Sequence, residues 1–147
     1  MLPALVLFLL ACGGSPVSRS AVFSPGLVEE PVSAVLTAAM AADSRGEPAD
    51  SLWHPEATIV ADGEVRFEPP RFAGVGAGGQ AAISSSRLEV RQSLVWVYLE
   101  YRWLSMKNGA AKEARATVLL TPRPEAVGWR IVHAHSSTIR EAELRQP

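Results

Sequence analysis

The fold of this chain is decided by its closing stretch, Gly128-Trp129-Arg130-Ile131-Val132-His133-Ala134-His135-Ser136-Ser137. Aromatic and β-branched residues recur in it, and no glycine or proline follows Gly128, so it predicts a strand over Val127–Ser137. The segment Ala114–Thr121 has the same character and predicts a neighbouring strand, with a turn at 122–126 between the two. The chain therefore ends in an antiparallel pair.

Further strands are predicted upstream of this pair. Leu88–Gln92 and Leu94–Met106 are strand-like, and Lys107-Asn108-Gly109 is the turn that follows them. Asp62-Gly63 predicts a tight hairpin, because a type I′ turn needs positive φ at both central residues. Leu94–Met106 has two alternating faces, and a slip of one residue would exchange them, so the inward face stays open at this point.

Helices are predicted before the strands. Pro31 stands at a first helical position, and the helix should end before Gly46. Its apolar residues recur at helical spacing: Val32, Val35, Leu36, Ala39 and Met40. A second, short helix is predicted from Asp50 as N-cap, carrying Leu52 and Trp53 inward. Helices followed by long strands indicate an α+β domain.

A glycine-rich segment separates the hairpin from the long strands. Gly74-x-Gly76-x-x-Gly79 has the spacing of a dinucleotide-binding loop, but prolines precede it and antiparallel strands follow. We therefore predict a flexible loop at a pocket rim, followed by one turn of helix at Gln80–Ser84.

The closing stretch resembles the final strand of nuclear transport factor 2-like domains, especially the SnoaL-like branch and the association domain of calcium/calmodulin-dependent kinase. The resemblance implies a cone, in which a curved antiparallel sheet wraps around N-terminal helices and leaves a pocket at one end. It places this domain at 29–140, with a tail at 141–147. It also implies a homodimer through the outer face of the sheet.

The N-terminus resembles a bacterial lipoprotein signal. Leu2 to Ala11 is almost wholly apolar, too short to span a bilayer, and leads into Leu9-Leu10-Ala11-Cys12-Gly13. The resemblance implies cleavage before Cys12, lipidation of that residue, and a flexible tether at 13–28. It places the protein in the bacterial cell envelope, at the outer membrane if the organism is Gram-negative. A buried or incidental cysteine is the alternative.

Candidate site residues follow from the strands and from the pocket that the resemblance implies. An arginine inside a cone would bind a carboxylate with two hydrogen bonds, so Arg115 is the proposed anchor. A solvated arginine at the strand surface is the alternative. The predicted ligand-binding residues are Arg115, Thr117, His135, Trp53 and Tyr98.

His133 and His135 are the candidates for catalysis, because a pocket histidine could shuttle protons near neutral pH. The alternative is a strand histidine that the backbone satisfies. A His-x-His pair also suggests a metal, but a site needs three or four ligands and the remaining histidine, His54, is far back in the chain. We predict neither a metal nor a cofactor.

Composition narrows the functions. The net charge is −1 and the 14 basic residues are scattered, which argues against nucleic acid as a partner. We therefore predict an envelope-anchored domain that binds a small molecule, with a carboxylate as the proposed ligand class. One alternative is a SnoaL-like cyclase, isomerase or hydratase that uses a pocket histidine, and another is a structural or assembly module.

Overall fold

One long helix, α1 (Pro25–Arg45), opens the part of the chain that the computed structural model describes, residues 25–142. The predicted apolar stripe is confirmed, and the helix ends before Gly46, whose φ is 70°. Pro31, however, lies inside the helix and not at its start. The buried Val28 extends the stripe by one turn. Its packing offsets the loss of the backbone hydrogen bond that Pro31 cannot donate.

Several predicted N-terminal features fall outside the described residues: the signal peptide, Cys12 and the tether up to residue 24. The helix begins at Pro25, inside the segment 13–28 that the sequence predicts as tether. Most of the predicted tail, 143–147, is also outside. Within residues 25–142, no helix has both the length and the hydropathy needed to cross a membrane.

Six strands follow α1 and a 3₁₀ turn at Asp50–Leu52. They are β1 (Trp53–Ala61), β2 (Glu64–Val65), β3 (Gly79–Arg91), β4 (Leu94–Ser105), β5 (Ala111–Pro122) and β6 (Trp129–Ala142). Their order in the sheet is β2-β1-β6-β5-β4-β3, and the pairing is antiparallel except between β1 and β6. The sheet is curved and open, with α1 on its concave side, so the predicted α+β architecture is confirmed.

The two faces of the sheet are distinguished by burial. β4 alternates strictly, and its buried residues pack in one core with α1: Val95, Val97, Leu99, Tyr101 and Trp103. We call this side the inner face. Trp96, Tyr98, Glu100 and Arg102 lie on the opposite side, the outer face, and are exposed.

A bulge in β6 changes which of its residues share a face. His133 pairs with Leu119 and Ile131 pairs with Leu120, so Val132 is an extra residue between them. The two-residue period of a strand predicts that Ile131, His133 and His135 share one side of the sheet, and this prediction is wrong: Ile131 is buried on the inner face, whereas His133 faces outward. One inserted residue reverses the side on which the following residues lie, here up to a second register shift at Ile139.

Three local predictions have different outcomes. The Asp62-Gly63 hairpin is confirmed, with φ values of 51° and 82°. The helical turn at Gln80–Ser84 is wrong, because these residues begin β3 and alternate across its two faces. Asp50 is the first residue of the 3₁₀ turn, and Ala49 occupies the N-cap position without a side-chain hydrogen bond.

Candidate functional site

The centre of the cone is filled by aromatic side chains. Phe72, from the segment between β2 and β3, is fully buried. Its ring centroid lies 5.7 Å from that of Trp53 and 6.0 Å from that of Tyr101. Trp53, a predicted ligand-binding residue, therefore lies in the core, apart from the other predicted site residues.

Four predicted site residues do come together, but on the outer face. Tyr98, Thr117 and His135 are aligned across β4, β5 and β6, and Arg115 lies beside them. With Ser137 they line a shallow depression of about 200 Å³. Glu100 is the residue directly opposite Arg115 on β4, so a carboxylate of the protein already lies next to the proposed carboxylate anchor.

The expected position of these residues inside the cone is wrong. The inner positions of β5 belong to Ala114, Ala116, Val118 and Leu120, which pack in the core, while Arg115 points outward. His133 and His135 face outward as well, because the bulge at Val132 reverses the alternation of β6. Their roles in ligand binding and catalysis stay predictions, now for an open surface.

A larger hollow, which the sequence did not reveal, lies between α1 and β3. It has a volume of about 730 Å³, and its apolar walls include Val32 and Leu36 of α1 and Ile83 and Leu88 of β3. Val97 of β4 also lines it. We call it the α1–β3 groove. The flank of α1 that borders it has small residues at helical spacing: Ser33, Ala34, Thr37, Ala38 and Ala41.

Among the described residues, the charged side chains of the α1–β3 groove are Glu29 and Glu30, which are exposed at its rim. Hydroxyl groups of Ser33, Thr37 and Ser86 add polar positions. An apolar hollow with a few polar groups suits a molecule with an apolar body and a neutral or cationic polar group. The signal in the sequence was the row of small residues beside the buried stripe.

Solved structures with the same architecture come from several bacteria. A nuclear transport factor 2-like superfamily protein from Salmonella enterica serovar Typhimurium is 14% identical, with a TM-score of 0.62 over 84% of this chain and 99% of that one. The chain has the nuclear transport factor 2-like fold. No family model and no curated protein matches the sequence.

Two further structures with the nuclear transport factor 2-like fold have provisional functional names. One, from Xanthomonas campestris, is named as a calcium/calmodulin-dependent protein kinase II association domain and is 20% identical, with a TM-score of 0.57 over 76% of this chain and 87% of that one. The other, from Streptomyces avermitilis, is named as a dehydratase and is 19% identical, with a TM-score of 0.62 over 80% and 99%. Identities this low show the fold alone. The shared fold confirms the predicted resemblance to nuclear transport factor 2-like domains.

A buried polar cluster, also missed in the sequence, fixes the segment between β2 and β3 to the end of α1. The Oδ2 atom of Asp43 accepts the backbone N–H of Arg71 at 2.6 Å and that of Phe72 at 2.8 Å. Burial raises the pKa of Asp43 to about 6, although these hydrogen bonds and the charge of Arg71 act in the opposite direction. Asp43 follows Leu36 by seven residues, so the helical pattern already placed it on the buried stripe.

Arg71 extends this cluster to the surface. Its guanidinium group donates to the carbonyl groups of Pro48 and Phe67 and to Asp50 Oδ1 at 2.8 Å, and it lies 5.1 Å from the centre of the Trp53 ring. Its donors are thus used within the fold. We infer that Asp43 and Arg71 form a structural clamp, because their polar atoms bind protein groups.

The arrangement of ionisable groups decides what chemistry is available. No three His, Cys, Asp or Glu side chains in residues 25–142 lie close enough to share a metal ion. Burial raises the pKa of Tyr101, whose hydroxyl donates to the Ala73 carbonyl at 2.6 Å. The buried ionisable groups therefore hold the fold together, and the α1–β3 groove offers shape and apolar surface.

Proposed function

We propose that this domain binds a small, largely apolar molecule in the α1–β3 groove. The observation that carries the proposal is the groove itself, whose volume of about 730 Å³ falls in the usual range for ligand sites. Its walls come from two regular elements, a helix and a strand, which hold a binding surface more rigidly than loops do.

The charge at the rim favours a neutral or cationic ligand here. Glu29 and Glu30 would repel a carboxylate, so the carboxylate class predicted from Arg115 does not suit this groove. For the outer-face depression around Arg115, a carboxylate ligand stays a prediction. We place the main ligand in the groove because its apolar surface is far larger.

Binding is a better account of the groove than catalysis. Within residues 25–142, its ionisable side chains are the exposed Glu29 and Glu30, whereas a general acid or base usually acts from a desolvated position. The candidate histidines, His133 and His135, lie on the other side of the sheet. The SnoaL-like enzyme alternative would need a reacting group from outside the groove lining.

Filling the groove should weaken binding. In Ala38→Phe, an exposed alanine of the groove wall gains a ring, at a helix-propensity cost of about 0.5 kcal/mol. We expect the affinity for the neutral fluorescent probe N-phenyl-1-naphthylamine, measured by fluorescence titration, to fall by at least about tenfold. The matched control is Ala126→Phe, at an exposed position in the β5–β6 turn outside the groove.

A second probe tests the charge of the rim. This probe is the 8-sulfonate of N-phenyl-1-naphthylamine, which has the same aromatic body and one negative charge. We expect it to bind about tenfold more weakly at low salt because of Glu29 and Glu30. Equal binding of N-phenyl-1-naphthylamine by wild type and Ala38→Phe would refute the groove as the site.

We also propose that two copies associate through the outer face, which supports the assembly module as a second candidate function. Large apolar side chains are exposed there, including Trp96 at 50% and Tyr98 at 39%. The four long strands, β3 to β6, have 12 to 14 residues each. They present about 40 Å by 20 Å, close to the roughly 800 Å² per partner of a stable interface.

The dimer is tested by a charge on the outer face. Trp96→Glu should shift the sedimentation-equilibrium mass from two copies to one, because it removes a large apolar contact and adds a carboxylate that association would have to desolvate. Phe67→Glu, at an exposed aromatic outside the outer face, is the control. A wild-type protein that sediments as one copy at micromolar concentration would exclude the dimer.

We propose, finally, that the domain is tethered to the bacterial envelope through Cys12. The support is the sequence Leu9-Leu10-Ala11-Cys12-Gly13 after an apolar run. We expect Cys12→Ala to move the protein from the membrane fraction to the soluble fraction of the producing bacterium. Unchanged partitioning, or the absence of a lipid mass on the wild-type N-terminal peptide, would refute lipidation.

A further inference from the structure

A small charged pocket lies where the Asp62-Gly63 turn meets the end of β6. It has a volume of about 250 Å³, roughly eight times the volume of a water molecule in the liquid. Its chemically distinctive lining residues are Asp62, Arg66, Trp103, Lys112, Thr138 and Glu141. We call it the mouth pocket. It shares no lining residue with the α1–β3 groove.

Arg66 supplies the cationic side of the mouth pocket. One of its terminal nitrogens, Nη1, donates to the Pro70 carbonyl at 2.9 Å, which holds the guanidinium group in place. A guanidinium group has five N–H donors, so this bond leaves several for a ligand. The planar arrangement of these donors matches the two oxygens of a carboxylate.

Asp62 supplies the anionic side, and its position is fixed by β6. Its carboxylate accepts the backbone N–H of Thr138 at 2.7 Å and the Thr138 hydroxyl at 3.1 Å. Glu141 lines the same pocket and pairs with Lys112 at 2.9 Å. The ionised carboxylate of Asp62 can accept a further hydrogen bond from a ligand ammonium group.

Among the lining residues that the structure describes, the charges of the mouth pocket balance. Asp62 and Glu141 contribute two negative charges, and Arg66 and Lys112 contribute two positive charges. A ligand with one charge of each sign keeps this balance, whereas a ligand with a single charge leaves one side unmatched. Trp103 adds an apolar wall. Gly76 lies close to this wall, because a Cβ added to Gly76 would be 3.5 Å from the Trp103 ring.

We infer that the mouth pocket binds a small zwitterion of the α-amino acid type. The carboxylate group of the ligand is held by Arg66, its ammonium group by Asp62, and a short side chain lies against Trp103. This site is additional to the apolar ligand of the groove and does not depend on it.

Calorimetric titration with three related probes tests the inference. L-alanine has both charges, propionate lacks the ammonium group, and ethylamine lacks the carboxylate. We expect L-alanine to bind at millimolar concentration and each single-charge analogue to bind at least about tenfold more weakly. Two results with the wild-type protein would overturn the inference: propionate that binds as tightly as L-alanine, or a titration in which L-alanine gives no heat of binding.

Two variants assign the ligand groups to residues. Arg66→Met and Asp62→Asn should each weaken L-alanine binding by about tenfold or more. The asparagine at position 62 can keep both contacts with Thr138. The variant therefore removes the charge of Asp62 and leaves its contacts with β6 in place. Arg87→Met, at an exposed arginine on β3, is the control and should bind normally. Normal L-alanine binding by folded Arg66→Met or Asp62→Asn would also overturn the assignment.

Discussion

Replacing Phe72 by alanine is expected to lower the free energy of unfolding by about 3–5 kcal/mol, the usual range for a fully buried phenylalanine. The Phe72 side chain is fully buried, and its ring contacts both Trp53 and Tyr101. The cavity would open where the segment between β2 and β3 fills the cone, so the inner face would lose its central contact. Urea denaturation followed by far-ultraviolet circular dichroism measures the change.

Phe67→Ala is the matched control, because Phe67 lies in the same segment but is 76% exposed. Its removal should change the free energy of unfolding by no more than about 0.5 kcal/mol. The backbone carbonyl of Phe67, which accepts from Arg71, is kept in this variant. If the two variants were equally stable, the cone would not be filled by Phe72.

The regular elements could be predicted because their residues are patterned locally. The stripe of α1 from Val32 to Met40 and the positive φ values at Asp62-Gly63 depend on neighbours in the sequence. β4 alternates strictly, so its two faces were also separated correctly. The choice of which face of β4 looks inward depends on where α1 packs, which is a long-range property.

The candidate site was harder to predict because the packing of α1 and one bulge in β6 decide on which side of the sheet its residues lie. Tyr98, Thr117 and His135 were correctly grouped, since adjacent strands align residues of the same face. Their side of the sheet was wrong for two reasons. The inward faces of β4 and β5 depend on where α1 packs, and for His135 neither glycine nor proline marks the bulge at Val132. The register with β5 creates that bulge. The filling of the cone by Phe72 was also hard to predict, because it depends on a contact between residues far apart in the sequence, Asp43 and the backbone of Phe72.

The buried carboxylate of Asp43 should make the stability of the domain depend on pH. Burial raises the pKa of Asp43 in the folded chain to about 6, above its ordinary value of 3.8. Between these values the unfolded chain has lost the proton and the folded chain still holds it, so rising pH favours unfolding. Lowering the pH from about 7.5 to about 4.5 should therefore add about 2 kcal/mol of stability through this group.

Asp43→Asn isolates this contribution from the other carboxyl groups. The Oδ1 atom of asparagine can accept the N–H groups of Arg71 and Phe72 as Asp43 Oδ2 does, but asparagine has no charge to lose. We expect the stability of the variant relative to wild type, measured by urea denaturation, to fall by about 2 kcal/mol between about pH 7.5 and about pH 4.5. The relative stability falls because the wild type gains stability when Asp43 takes up its proton at the lower pH, whereas the asparagine variant has no such gain.

Asp50→Asn is the matched control, because Asp50 also contacts Arg71 but its side chain is 76% exposed. Only the Asp50 side of this ion pair is exposed, since the Arg71 side chain is 7% exposed. The side-chain oxygen of asparagine can still accept the hydrogen bond from Arg71, so this variant should differ little from wild type. A stability difference between Asp43→Asn and wild type that stays constant with pH would show that the Asp43 carboxylate is ionised throughout. The clamp between α1 and the segment before β3 would then be an ionic one, and the desolvation of Asp43 would be offset by Arg71 and the two N–H groups.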